Sequence, residues 1–95
     1  MKTINTKNAP QAIGPYSQAK VVDNFVFTSG QIPLKSDGTI VSDNFELECI
    51  QVLDNIKEIL KAAGTSMSNI IKLTVYLTDL SKFDVLNSVF NKYFD

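Results

Sequence analysis

The chain has no histidine, no tryptophan and one cysteine, and all nine of its basic residues are lysines. Each gap removes a class of chemistry. Without histidine there is no Ser-His-Asp or Cys-His nucleophile system. A histidine-based zinc site is excluded too, and Cys49 by itself can build neither a thiolate metal site nor an internal disulfide. Without arginine no planar guanidinium fork is available to grip a carboxylate or a phosphate. The four glycines, Gly14, Gly30, Gly38 and Gly64, are too dispersed to form a phosphate-cradling loop. No apolar run reaches membrane-spanning length and no signal peptide opens the sequence, so a cytoplasmic setting is expected. The formal net charge is −1 and the lysines are scattered, which gives no support to a nucleic-acid or membrane surface.

What remains is an ordinary globular composition, 44% hydrophobic and 20% charged over 95 residues. That is enough for one domain, residues 1–95, with one core. The opening stretch APQAIGPYSQA, Ala9 to Ala19, is uncharged and holds two prolines and a glycine, so it reads as a shaped loop rather than a solvated tail. After it, alternation predicts strands over 17–22 and 25–29, with Asp23-Asn24 as the turn of a hairpin. QIPLKSDGTIV continues extended, with a turn at Asp37-Gly38.

The strongest helical signal is DNFELECIQVLDNIKEILKAAG. Cys49, Leu53, Ile56, Leu60 and Ala63 recur at spacings of four and three and define one buried face. Asp43 is the expected N-cap with Glu46 completing a capping box, and Gly64 is the expected stop. In IIKLTVYLTD, residues 71, 73, 75 and 77 alternate with polar ones, which predicts a strand. SKFDVLNSVFNKYF returns to helical spacing, with Ser81 as the expected cap and Phe83, Leu86, Val89, Phe90, Tyr93 and Phe94 as the apolar stripe. Strands, helix, strand, helix is an α+β order. It implies a mixed sheet with both helices packed on one face.

Four segments, APQAIGPYSQA, TSGQIPL, NIKEILKAAG and KLTVYLTDLSKFDVLNSVFNKYF, resemble in order and spacing the Rid (YjgF) family of small enamine/imine deaminases. The resemblance runs along the whole chain. It implies a chorismate-mutase-like α+β fold and a homotrimer with a small-molecule site in each inter-subunit cleft. The implied activity is hydrolysis of 2-imino acids to 2-oxo acids and ammonium, with no metal or organic cofactor. Pyridoxal-phosphate dehydratases would be the source of the imine. The matching site positions are Tyr16, Ser29, Gly30, Phe83 and Asn87: Ser29 and Gly30 would serve the reacting centre, and all five would contact substrate.

The family pattern continues past the final aromatic pair with a carboxylate-gripping arginine, a cysteine and a glutamate, and with C-terminal strands, that these 95 residues do not contain. The expectation is therefore that the 95 residues trimerise poorly by themselves or belong to a longer protein. A non-catalytic ligand-binding or regulatory module is the alternative function. Taken singly, the site residues have ordinary explanations: Tyr16 as a turn-packing aromatic, Ser29-Gly30 as a strand end, Asn87 as solvent-facing, Cys49 as a small core residue. Their joint occurrence within the family pattern is what marks Tyr16, Ser29-Gly30 and Asn87 as a site.

Overall fold

The computed structural model describes residues 1–94. Three short strands form an antiparallel meander, β1 (Lys2–Ile4), β2 (Ala19–Val22) and β3 (Phe25–Thr28), in that spatial order. The β2–β3 hairpin turns at Asp23-Asn24 as the sequence predicts, with Val22 opposite Phe25 and Asp23 in the left-handed region at φ 53°. Its strands are shorter than expected, because the residues before Ala19 and after Thr28 belong to loops. β1 carries too little alternation to be recognised alone; its register, Ile4 opposite Ala19, makes it a strand.

Period two divides the sheet. Ile4 and Ala19 are buried, and Val21 and Val26 pack beside them. Lys20, Val22, Phe25 and Phe27 are exposed on the other face.

Helix α1 (Phe45–Ala62) lies on the inner face of the sheet. Its N-cap is Asn44, whose Oδ1 accepts from the Leu47 amide at 3.0 Å, and not Asp43. Asp43 sits at φ 72°, so its backbone redirects the chain into the helix while the neighbouring side chain caps it. At the C-terminus the Gly64 and Thr65 amides bond back to the Lys61 and Leu60 carbonyls at 3.1 and 2.9 Å, a Schellman closure that needs Gly64 at φ 86°.

α1 buries two faces. Cys49, Leu53, Ile56 and Leu60 join Met67, Leu86 and Val89 in one core. Ile59 packs with Ile4, Ala9 and Ala19 in a second, with Ala63 at its edge. Burial raises the Cys49 thiol pKa, and the neighbouring Glu48 and Glu46 charges add to this, so the thiol is an unreactive core group.

The segment after α1 departs from expectation. Residues 70–77 form no strand: the Ile70 amide closes the preceding turn on the Met67 carbonyl at 3.2 Å, and no described neighbour pairs with the backbone that follows. Ile70, Leu73 and Leu77 pack on the core, whereas Ile71 and Val75 are 83% and 41% exposed. The parallel crossover expected of a mixed sheet is therefore not formed among the described residues. The α+β class, with both helices on the same side of the sheet, holds.

A 3-10 turn over Leu80–Lys82 leads into α2 (Phe83–Tyr93). Ser81 does not cap α2, whose N-cap is Lys82 with no side-chain bond. The side-chain cap is Asp79, on the preceding 3-10 turn, where its Oδ1 accepts from the Ser81 hydroxyl at 2.6 Å and the Ser81 amide at 3.0 Å. These bonds hold the Asp79 carboxyl below its ordinary pKa. Leu86 and Val89 are buried, Phe90, Tyr93 and Phe94 pack at the core's edge, and Phe83 is 53% exposed.

Tyr93 ties α2 to α1 by donating to Asp54 Oδ1 at 2.8 Å. Burial first, and then the Asp54 carboxylate, push its pKa from 10.0 to about 12. A raised folded-state pKa contributes stability below the unfolded value that is lost as pH climbs through the folded one. Urea unfolding midpoints are thus expected to fall between pH 10 and about 12, and Tyr93→Phe is expected to flatten that fall. An unchanged alkaline slope in the variant would count against the assignment.

Candidate functional site

The opening loop owes its shape to one buried side chain. Gln18 is 2% exposed, and its amide reaches back across the loop. Its Oε1 accepts from the Thr6 amide at 2.7 Å, and its Nε2 donates to the Thr6 and Pro10 carbonyls at 3.0 and 2.8 Å. Burying an amide is unfavourable unless it is paired, so these bonds hold the loop against β2.

Next, the loop fixes Tyr16. Gly14 takes φ 119°, a conformation closed to most side chains, and the Tyr16 amide donates to the Gly14 carbonyl at 2.9 Å. The ring folds back over Gly14, and its hydroxyl oxygen accepts from the Ile13 amide at 3.3 Å. The phenolic proton is left to donate outward.

Ser29 follows β3 and is locked to Gln18 by its main chain. Its amide and its hydroxyl both donate to the Gln18 carbonyl, at 2.9 and 3.2 Å. Its Oγ accepts from Gln31 Nε2 at 3.4 Å. Because the hydroxyl proton is committed inward, Ser29 can only accept from a bound molecule. Gly30 comes next, with no atom within 4 Å of the place a Cβ would occupy. Its backbone stands open to approach.

Tyr16, Ser29 and Gly30 converge on one groove. Its outer part, about 350 Å³, is lined by Pro15, Tyr16, Lys20, Phe27 and Ser29, with Lys20 the only cation in the lining. A narrower recess of about 50 Å³ continues between the 10–13 loop and the Gly30–Leu34 segment, sharing Tyr16 and Ser29. Phe83 and Asn87 are not part of it: both are exposed on α2 and line neither space. Within one chain, then, three of the five expected site residues meet.

Gln18, Lys20 and Asn55 were not singled out from the sequence. Asn55 is 1% exposed, and a signal for it exists, since Val52, Asn55, Ile59 and Ala63 form a second line at helical spacing beside the apolar one. Among the described residues no His, Cys, Asp and Glu cluster could hold a metal ion, and no helix is long and apolar enough to cross a membrane.

A short antiparallel sheet is backed by two helices, and a partly polar groove lies at the open end of the β2–β3 hairpin, away from its Asp23-Asn24 turn; together they define a small α+β domain. The chain belongs to the Rid family: the family model described as Endoribonuclease L-PSP matches residues 6–95. It is 49% identical over 94 residues to a RutC family protein of Pyrococcus horikoshii, covering 98% of this chain and 75% of the relative. It is 46% identical to the 2-iminobutanoate/2-iminopropanoate deaminase of Homo sapiens, covering 98% of this chain and 69% of that one. The crystal structure of E. coli TdcF with bound serine superposes with a TM-score of 0.93 at 42% identity, covering 98% of this chain and 73% of that chain.

Proposed function

We propose that the groove binds small 2-imino acids, such as 2-iminopropanoate and 2-iminobutanoate, and hydrolyses them to 2-oxo acids and ammonium. The observation that carries this reading is the convergence of Tyr16, Ser29 and Gly30 on one groove. It is supported by 46% identity to a human protein named as such a deaminase and by the fold shared with a protein that holds serine, an amino acid of similar size.

The hydrogen-bond polarity of the groove suits the substrate. A protonated imine offers N–H donors beside a carboxylate acceptor. Ser29 Oγ accepts from the iminium, and the Tyr16 hydroxyl donates to the carboxylate. Lys20 supplies a point charge for the same carboxylate. The iminium carbon is already electrophilic, so water adds without a strong base. The tetrahedral adduct then loses its nitrogen as ammonia while the oxygen becomes the new carbonyl, and the ammonia leaves protonated as ammonium. The work required is positioning and electrostatic support, which a histidine-free site can supply. Open space at Gly30 lets backbone approach the reacting centre.

In this reading the protein assembles as a homotrimer, and Phe83 and Asn87 of one copy complete the groove of another. Pyridoxal-phosphate dehydratases that act on serine and threonine supply the imine, and a reduced, buried Cys49 suits a cytoplasmic setting.

A second reading, a binding or regulatory module without turnover, is favoured by one observation: the groove holds a lysine where a guanidinium clamp would grip a carboxylate more strongly. The two are separated by coupling the protein to a threonine dehydratase. Faster release of 2-oxobutanoate and ammonium than with the dehydratase alone is expected, with Lys20→Ala raising KM on the order of tenfold, the scale of one charge-assisted bond. A rate equal to the dehydratase alone eliminates the enzymatic reading.

A further inference from the structure

We infer that Gln18 and Asn55 are a pair of positioning residues that set the width of the groove, a role that rests on the proposed imine hydrolysis. They are the buried polar side chains found among the described residues, at 2% and 1% exposure, and no buried side-chain polar atom there lacks a partner. Each directs its amide NH2 at main-chain carbonyls of a groove wall. Gln18 Nε2 holds the Pro10 carbonyl at 2.8 Å, at the start of the wall that carries Ile13 and Tyr16. Asn55 Nδ2 holds the Ile32 and Leu34 carbonyls at 3.2 and 2.8 Å, in the facing wall that begins at Gly30.

Asn55 stands inside α1, where the helix fixes its position, and Gln51 Nε2 donates to its Oδ1 at 2.9 Å. That bond leaves Nδ2 facing the loop. Gln18 also links the walls through its main chain, since its carbonyl receives both Ser29 donors. Both walls are irregular backbone with few ladder bonds of their own. Two buried amides replace the ladder and carry the rigidity of α1 and β2 to Tyr16, Ser29 and Gly30.

The test compares Asn55→Asp with Gln51→Leu and with Cys49→Ala. Aspartate keeps the shape of asparagine but sets oxygen against two carbonyl oxygens. In Asn55→Asp, kcat/KM is expected to fall about ten- to a hundredfold, mostly in kcat, since misplacement by about 1 Å costs that much. Amides of residues 30–34 are expected to exchange faster with solvent while those of α1 stay protected. Should Asn55→Asp not fold, Gln51→Leu removes only the bond that orients Asn55 and shifts both readouts the same way by a smaller amount. Cys49→Ala is expected to lower Tm while leaving kcat/KM within about twofold, because it thins the core away from the groove. Wild-type hydrolysis with unchanged kcat in the variants overturns the positioning role alone, whether or not exchange rises. A wild type that hydrolyses no imine overturns the functional reading and this role with it.

Discussion

Gly30→Ala is expected to fold as well as the wild type, or slightly better, and to lose about ten- to a hundredfold in kcat/KM. The two halves of this result come from different facts. The chain itself leaves open space where the new Cβ would sit, and Gly30 is outside the positive-φ region where a side chain is strained. Replacing glycine under those conditions stiffens the unfolded chain and stabilises by about 0.4–1 kcal/mol. The added methyl, however, projects into the space where, in the proposed site, backbone meets the ligand. A displacement of roughly 1 Å at a reacting centre is worth about two decades of rate. Gly14 offers the contrast, because its φ of 119° is required by the loop. Thermal melts and the coupled dehydratase assay on Gly30→Ala measure both halves, and an alanine variant with wild-type turnover would remove Gly30 from the site.

Leu53→Ala is expected to lower Tm by roughly 10–30 °C. Leu53 is 2% exposed in the core shared by α1 and α2. Truncating a buried leucine costs about 2–5 kcal/mol, a large part of the roughly 5–15 kcal/mol that holds a domain folded. For a chain of this length each kcal/mol moves Tm by about 4–8 °C. Ile71→Ala provides the comparison. Alternation in the sequence places Ile71 inward with Leu73, yet it is 83% exposed, so its loss is expected to move Tm by no more than about 2 °C. Equal losses at the two positions would contradict the packing.

The two elements with strong local signals were legible in the sequence. The face of α1 from Cys49 to Leu60 reads directly from spacing, and the hairpin reads from Asp23-Asn24. The caps fall elsewhere: Asn44 rather than Asp43 caps α1, and Asp79 caps the turn before α2 where Ser81 is the expected cap of α2 itself, because several adjacent residue types can cap and geometry chooses among them. The 70–77 segment departs from the strand its alternation predicts for a different reason. A strand is a relation between two segments, and alternation in one segment carries no information about its partner. The same limit governs the groove. Tyr16 and Ser29-Gly30 stood out because they sit in unusual local sequences. Gln18 and Asn55 act through carbonyls up to 23 positions away, and nothing in their own neighbourhoods announces those partners. Lys20 was hidden by its strand, since only the pairing with Phe27 shows which face it occupies.

For the proposed hydrolysis, the inward-turned proton of Ser29 bears on product release. Its Oγ has only lone pairs to offer the groove, so a ligand that brings N–H is welcomed there and one that brings a carbonyl oxygen is not. Hydrolysis converts the first kind into the second. Under the proposed reaction, the atom that would retain an imine would also repel the 2-oxo acid made from it, which would favour rapid product escape and weak product inhibition.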